Sequence, residues 1–250
     1  MEGQPIKTNE HHDEPAVKVD GKSIVVTKKL TKIYGNGATR VTALKNVDLD
    51  IKEGEFVAVQ GPSGSGKTTF LNMIGALDKP TKGTVIIDGV ETSSVAEHSL
   101  YKIRRDKLGF IFQTYYLIPT LTAMQNVLVP VMPIDGSKKY HDRATHLLDL
   151  VGLKERMHHK PNQLSGGEQQ RVAIARALIM DPAIILADEP TGNLDTRTGA
   201  NIMDLMQRLN REHGKTLIVV THDGRIANSR ADRVVYLFDG QLYNTPPDDF

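Results

Sequence analysis

Two kinds of hydrophobic pattern alternate along this chain, and they predict different elements. Phe56–Val59, Gly109–Phe112, Ile184–Ala187, Leu217–Val220 and Val234–Phe238 are short apolar runs with no polar face. Such runs are expected of strands buried on both sides, as in a parallel sheet covered by helices. Asn46–Ile51 instead alternates strictly between polar and apolar residues, which predicts a half-buried antiparallel strand. A strand-like stretch begins at Ser23 and ends in the Gly- and Asn-rich turn at Lys32–Gly37, and Thr84–Gly89 reads as another strand. Helical spacing follows Thr69 and recurs in Ala144, Leu147, Leu148 and Val151, then in Ile202, Leu205, Met206 and Leu209. Gly152 stands where a helix C-terminus favours glycine, and Pro119, Pro130 and Pro133 mark breaks. These signals predict an α/β fold: an antiparallel sheet flanking a mainly parallel one, with a helical insertion over about residues 114–168.

Composition narrows the functional classes. At 250 residues the chain can bury a sizeable core. A net charge of +1 gives no electrostatic footprint for nucleic acid, so no nucleic-acid partner is expected. The absence of cysteine excludes disulfides and thiolate metal sites. No apolar run approaches the roughly 20 residues that span a bilayer, and the polar N-terminus contains no signal-peptide core. Residues 1–21 lack periodicity and predict a flexible polar tail. His11 and His12 there are adjacent, share no face, and read as solvated rather than as metal ligands.

The chemistry centres on Gly61-Pro62-Ser63-Gly64-Ser65-Gly66-Lys67-Thr68, a P-loop placed between a buried strand and a helix start. Its four fixed positions recur by accident in roughly one chain in a hundred of this length, and the flanking elements lower that further. The glycines let backbone N–H groups curl around a phosphate, and the helix N-terminus adds about half a positive charge. Lys67 is placed to reach the β- and γ-phosphates and the Thr68 hydroxyl to hold Mg²⁺. The run Ile184–Ala187 delivers Asp188 and Glu189 at a strand C-terminus, where open α/β sheets bind ligands. Asp188 suits Mg²⁺ held through water, and Glu189 can address an attacking water.

Leu164-Ser165-Gly166-Gly167-Glu168 opens a further helix. Ser165 and Glu168 satisfy a capping box, whereas Gly166 and Gly167 exceed what a cap needs and would admit another molecule to a helix N-terminus. A second phosphate site on a separate subdomain makes sense if the two meet across an interface. His222 follows the apolar strand Leu217–Val220, in the same position relative to its strand as Asp188; spacing alone leaves it open between packing and function.

In order and approximate spacing, the P-loop, Gln113, Leu164–Gly167, Asp188-Glu189, Leu194-Asp195 and His222 resemble the ATP-binding subunits of ABC transporters, from about Ser23 to the C-terminus. Leu-Ser-Gly-Gly followed by Gln-Gln-Arg carries the resemblance more specifically than a P-loop alone. It implies one ABC ATPase domain over residues 22–250 that binds ATP and Mg²⁺. By this resemblance Tyr34 stacks on adenine, Thr69 joins the P-loop contacts, and Gln113 couples the Mg²⁺ site to a partner. Ser165, with Gly166 and Gly167, meets the γ-phosphate held by the opposite subunit, Asp195 communicates across the dimer, and His222 holds the γ-phosphate. Val41–Lys45, Leu77–Gly83, Leu117–Thr122 and Glu189–Asp195 look like the branch that serves lipoprotein release and macrolide export. Two positions depart from the pattern: Glu168 stands where Gln is frequent, and Gln125 where an acidic residue is usual.

The resemblance implies catalysis by positioning and electrostatics, with Lys67, Mg²⁺, His222, Gln113 and the facing subunit around the transferred phosphoryl group and Glu189 as base. The implied partners are a second copy of the chain, in an ATP-dependent head-to-tail homodimer, and a separate membrane permease. The protein would then sit on the cytoplasmic face of the membrane, held peripherally by that permease. One rival is a nucleotide-gated signalling subunit that drives a membrane protein mechanically. The other is a soluble ABC ATPase acting on DNA ends or ribosomes, which usually carries two cassettes or a long coiled-coil insertion.

Overall fold

The computed structural model describes residues 21–134 and 139–247. The tail expected over residues 1–21, His11 and His12 included, falls outside the described residues but for Gly21. Strands β1 (Ser23–Tyr34) and β2 (Val41–Lys52) pair antiparallel, and β1 pairs on its other side with β4 (Lys82–Ile87), itself followed by β5 (Val90–Glu91). This four-stranded sheet has the order β2-β1-β4-β5. Between β2 and β4 the chain crosses to the second sheet as β3 (Phe56–Gln60) and returns through helix α1 (Lys67–Ile74).

After α2 (Glu97–Lys107) and β6 (Leu108–Phe112) the chain enters the helical insertion. It contains α3 (Ala123–Leu128), a 3-10 helix at Val129–Ile134, and α4 (His141–Leu150). Then come α5 (Gly166–Leu178), β7 (Ile184–Asp188), α6 (Thr196–Arg211) and β8 (Thr216–Thr221). Helix α7 (Gly224–Arg230) and the hairpin β9 (Arg233–Phe238) and β10 (Gln241–Tyr243) end the described chain. The second sheet runs β10-β9-β3-β8-β7-β6, parallel throughout except for β10. An antiparallel N-terminal sheet, a mainly parallel sheet and inserted helices are thus the expected architecture.

The unbroken apolar runs have the cause their pattern implies. Successive side chains of a strand point to opposite faces, and here both faces are covered. Phe56, Ile185, Ala187, Leu217 and Val219 pack under α3–α6 in one core. Val57, Val59, Ile184, Leu186, Ile218 and Val220 pack against α1 and the antiparallel sheet in the other. Two local features differ from the sequence expectation. Pro130 falls where α3 gives way to a 3-10 helix, as a break should, but Pro133 lies inside that 3-10 helix, where a missing N–H and a fixed φ are tolerated. Helix α2 escapes a periodicity reading because it buries only Leu100 and is otherwise polar or partly exposed.

Candidate nucleotide site

The parallel strands aim their C-terminal ends at one place. β3 runs into the P-loop, and its neighbour β8 ends just before His222. β7 ends on Asp188 with Glu189 next, and β6 ends just before Gln113. A cavity of about 1010 Å³ opens there, lined by Ser63, Gly64, Gly66, Lys67, Thr68 and Thr69 of the loop and by Gln113, Asp188, Glu189 and His222. Gly61, Pro62 and Ser65 complete the loop without lining the cavity; Gly61 and Ser65 are buried beneath it. Gly66 has φ +104, and a Cβ there would lie 2.5 Å from the Ala43 carbonyl, so glycine alone fits.

Inside the cavity the polar groups are already organised. The Lys67 ammonium donates to the carbonyls of Gly61 and Pro62, each at 2.8 Å. Burial pushes its pKa down from the ordinary lysine value, opposed by the charges of Glu189 and Asp188. The Thr68 hydroxyl donates to Asp188 Oδ2 at 3.2 Å. Burial raises the Asp188 carboxyl above the usual range, with the charge of Glu189 adding to it and Thr68 and Lys67 opposing. Glu189 leaves β7 with φ +47, a left-handed conformation rare for a glutamate. Its Oε2 accepts from the His222 backbone N–H at 3.3 Å and lies 2.9 Å from His222 Nδ1. Gln113 donates from Nε2 to Asn193 Oδ1 at 3.3 Å, and Asn193 Nδ2 returns a bond to the Gln113 carbonyl at 3.0 Å.

The remaining expected site residues lie elsewhere. Tyr34, 40% exposed, does not line the cavity. Its hydroxyl donates to Asp78 at 3.0 Å, and the Lys32 ammonium sits 4.8 Å over its ring. Ser165 caps α5 in a full capping box: its hydroxyl accepts from the Glu168 N–H at 3.4 Å and Glu168 accepts from the Ser165 N–H at 2.9 Å. Ser165, Gly166 and Gly167 are absent from the cavity wall. Gly167 is buried, and a Cβ there would meet Thr198 Cγ2 at 2.4 Å, so close packing inside the chain already demands this glycine. Asp195 caps α6, accepting from Arg197 N–H and Thr198 N–H at 3.1 and 3.0 Å. It lines an adjoining cavity that shares Glu189 and His222 with the first.

Sequence reasoning missed one whole wall of the main cavity, formed by Val41, Thr42, Ala43 and Lys45 of β2 with Asp239 and Gly240 of the β9–β10 turn. The signal was weak because the β2 part of this wall comes from the other sheet, and the turn part from a hairpin distant from the loop in sequence. Among the described residues no cluster of His, Asp or Glu forms a metal site by itself, and no helix is long and apolar enough to cross a membrane.

Comparison with known proteins gives this geometry its context. The sequence profile described as ABC transporter matches residues 44–192. The ABC transporter ATP-binding protein MJ0796 of Methanocaldococcus jannaschii is 53% identical over 225 residues, covering 88% of this chain and 95% of that protein. A solved structure of MJ0796, described as a dimeric post-hydrolysis state bound to ADP and Pi, superposes with a TM-score of 0.78 at 49% identity, covering 90% of this chain and all of that one. The lipoprotein-releasing system ATP-binding protein LolD of Legionella pneumophila is 48% identical over 221 residues, covering 88% of this chain and 97% of LolD. The macrolide export ATP-binding/permease protein MacB of Escherichia coli is 47% identical over 222 residues, which cover 88% of this chain and 34% of MacB. With the profile spanning more than half of its length and these identities along most of the rest, the chain belongs to the ABC transporter family, among its ATP-binding proteins.

Proposed function

We propose that the protein hydrolyses MgATP at the cavity above β3, β7 and β8 while paired head to tail with a second copy, and so powers a separate membrane permease from the cytoplasmic side. The observation that carries this reading is the convergence of Lys67, Gln113, Asp188, Glu189 and His222 on one cavity at adjacent strand ends. The P-loop holds the phosphates through its backbone N–H groups, and Lys67 exchanges its two carbonyl partners for phosphate oxygens. The Thr68 hydroxyl and the Asp188 carboxylate, 3.2 Å apart, are the hard oxygen donors that a magnesium ion takes. Bound there, Mg²⁺ would neutralise charge developing on the phosphate oxygens. Glu189 accepts a proton from, or orients, the attacking water, held in place by the His222 backbone and imidazole. His222 faces the same cavity, where a ring N–H can donate to a γ-phosphate oxygen.

Ser165 and its neighbours stand away from this cavity, at the N-terminus of α5. That separation supports their meeting the nucleotide of the facing copy, and MJ0796, the relative above, is itself described as dimeric. An apolar groove of about 570 Å³, lined by Tyr101, Phe110, Phe112, Tyr116 and Pro130, begins one residue before Gln113 and supports docking of the permease. The similarity to LolD and MacB supports a permease of the lipoprotein-release or macrolide-export type.

Glu189→Gln tests the reading. Losing a general base costs on the order of 10²–10⁴-fold in rate while ground-state binding survives. Gel filtration with MgATP is expected to show this variant at twice the monomer mass and the wild type mainly as monomer, with ADP supporting no dimer. Wild-type hydrolysis by the variant would remove Glu189 as base; slow hydrolysis by a monomer would remove the nucleotide-bound dimer for the isolated subunit.

A further inference from the structure

We infer that Gln170, on the inner face of α5, is a positioning residue that holds the turn on which Glu189 sits. The inference rests on the reading of Glu189 as the group that acts on water. A glutamate at φ +47 persists only where surrounding bonds fix it. Three hydrogen bonds do so. The Glu189 N–H donates to the Val220 carbonyl at 2.9 Å, the Gly192 N–H to the Glu189 carbonyl at 3.0 Å, and Gln170 Nε2 to the Pro190 carbonyl at 2.7 Å. The first two are backbone bonds that many sequences could form. The third needs a long amide reaching across from another element.

Gln170 is 0% exposed, and its Oε1 has no hydrogen-bond partner among the described residues. An apolar side chain of the same length would exchange one orphan acceptor, Gln170 Oε1, for another, the buried Pro190 carbonyl, so polar satisfaction alone does not select the amide. What the amide supplies is direction: it fixes the carbonyl immediately after Glu189. Gly167, one turn earlier on the same face of α5, packs on Thr198 at the start of α6. The helix that Ser165 opens is therefore pinned to both ends of the segment between Glu189 and α6. Gln170 thus ties the group proposed to read the facing copy's nucleotide to the group proposed to act on this copy's water.

Gln170→Met removes the donor and the orphan acceptor and keeps the length. The measurement is kcat, KM for ATP and the melting temperature of the full chain, in the wild-type and the Glu189→Gln backgrounds, with single-turnover assays for the slow variants. The expected result is a fall in kcat of about tenfold to a hundredfold, as for misplacement of a catalytic group by about 1 Å, with KM within about twofold. Any loss of melting temperature, from the Pro190 carbonyl losing its donor, is expected to be the same in both backgrounds. In the Glu189→Gln background the same substitution should leave the residual rate unchanged, because no carboxylate remains to be aimed. An unchanged kcat in folded Gln170→Met, or the same fold loss in both backgrounds, overturns the proposal. If Gln170→Met does not fold, Gln170→Leu is put through the same comparison; failure of both to fold makes Gln170 a stability residue and overturns the proposal as well. Wild-type hydrolysis by Glu189→Gln alone would instead remove the underlying reading of Glu189, whatever Gln170→Met does.

Discussion

Gly167→Ala separates two reasons for the second glycine at the start of α5. If Gly167 is glycine only so that another molecule can approach, adding a methyl group should not disturb the isolated chain and should even help the helix, by roughly 0.5–1 kcal/mol. The geometry says otherwise. The new Cβ would stand 2.4 Å from Thr198 Cγ2, inside van der Waals contact, with the next nearest atom, Thr198 Cβ, at an ordinary 3.8 Å. Thr198 can give way by leaving its rotamer, at about 0.5–1.5 kcal/mol, or the helices can part, at about 1–3 kcal/mol. Set against the gain in helix propensity, a net loss of about 1 kcal/mol is expected, which for a chain of this size lowers the melting temperature by about 2–4 °C. Thr198→Ser removes Cγ2 and with it the clash, and in that background Gly167→Ala should turn neutral or stabilising. The assay is thermal melting of the four proteins in the double-mutant cycle. Loss of the same size in both backgrounds would refute the packing argument, and no loss in either would return Gly167 to a purely intermolecular role.

Three more outcomes are expected. Lys67→Ala should weaken ATP binding about tenfold to a hundredfold, the worth of a charge-assisted contact of roughly 1.5–3 kcal/mol, as read by titrating a fluorescent ATP analogue; unchanged affinity would sink the P-loop assignment. Ser165→Arg should leave ATP binding by the monomer intact and block both dimer formation and turnover, with about 1 kcal/mol of stability lost from the cap; full activity in the folded variant would exclude a role across the interface. The raised Asp188 carboxyl means that the folded chain binds this proton more tightly than the unfolded one. Its contribution to stability is therefore complete below the ordinary carboxylate pKa of about 4 and is lost as pH rises through the raised value. Without nucleotide or Mg²⁺, Asp188→Asn should raise the melting temperature at pH 7, by an amount that shrinks towards pH 4; an equal gain at both would contradict burial as the cause.

What could be read from the sequence is what leaves a periodic or local mark. Ile184–Ala187 is apolar throughout because alternate side chains enter different cores, and a run this short and this apolar points to a doubly covered strand. The cap at Ser165 was legible because both of its partners lie within four residues. The wall formed by Val41–Lys45 was not, because what brings it to the nucleotide cavity is the stacking of one sheet on the other. Its local traces are the glycines at 66 and 240, both set against the Ala43 carbonyl. Gly167 was legible as unusual but not for the right neighbour, since Thr198 lies thirty-one positions on and no pattern connects them. Gln170 resembled an ordinary polar position on a helix until its burial and its reach to Pro190 were visible.

The position of β3 has a consequence for how the chain is made. The strand that presents the P-loop has as its neighbours β8 and β9, so Phe56 pairs with Leu217 and Val57 with Arg233. The loop is fastened later still: the Gly240 N–H donates to the Ser65 carbonyl at 3.1 Å, and the Leu237 carbonyl lies directly under Gly61. During synthesis the phosphate-binding loop therefore emerges first and waits, with both edges of its strand unpaired, until β8 and β9 have followed. Contacts so distant along the chain are slow to form, and an unpaired apolar strand is prone to pair wrongly in the interval. A nascent chain stopped before Arg233 carries every nucleotide-facing motif and yet lacks the hairpin that closes the loop from below. The loop is thus completed only once residues 233–243 have followed every nucleotide-facing motif.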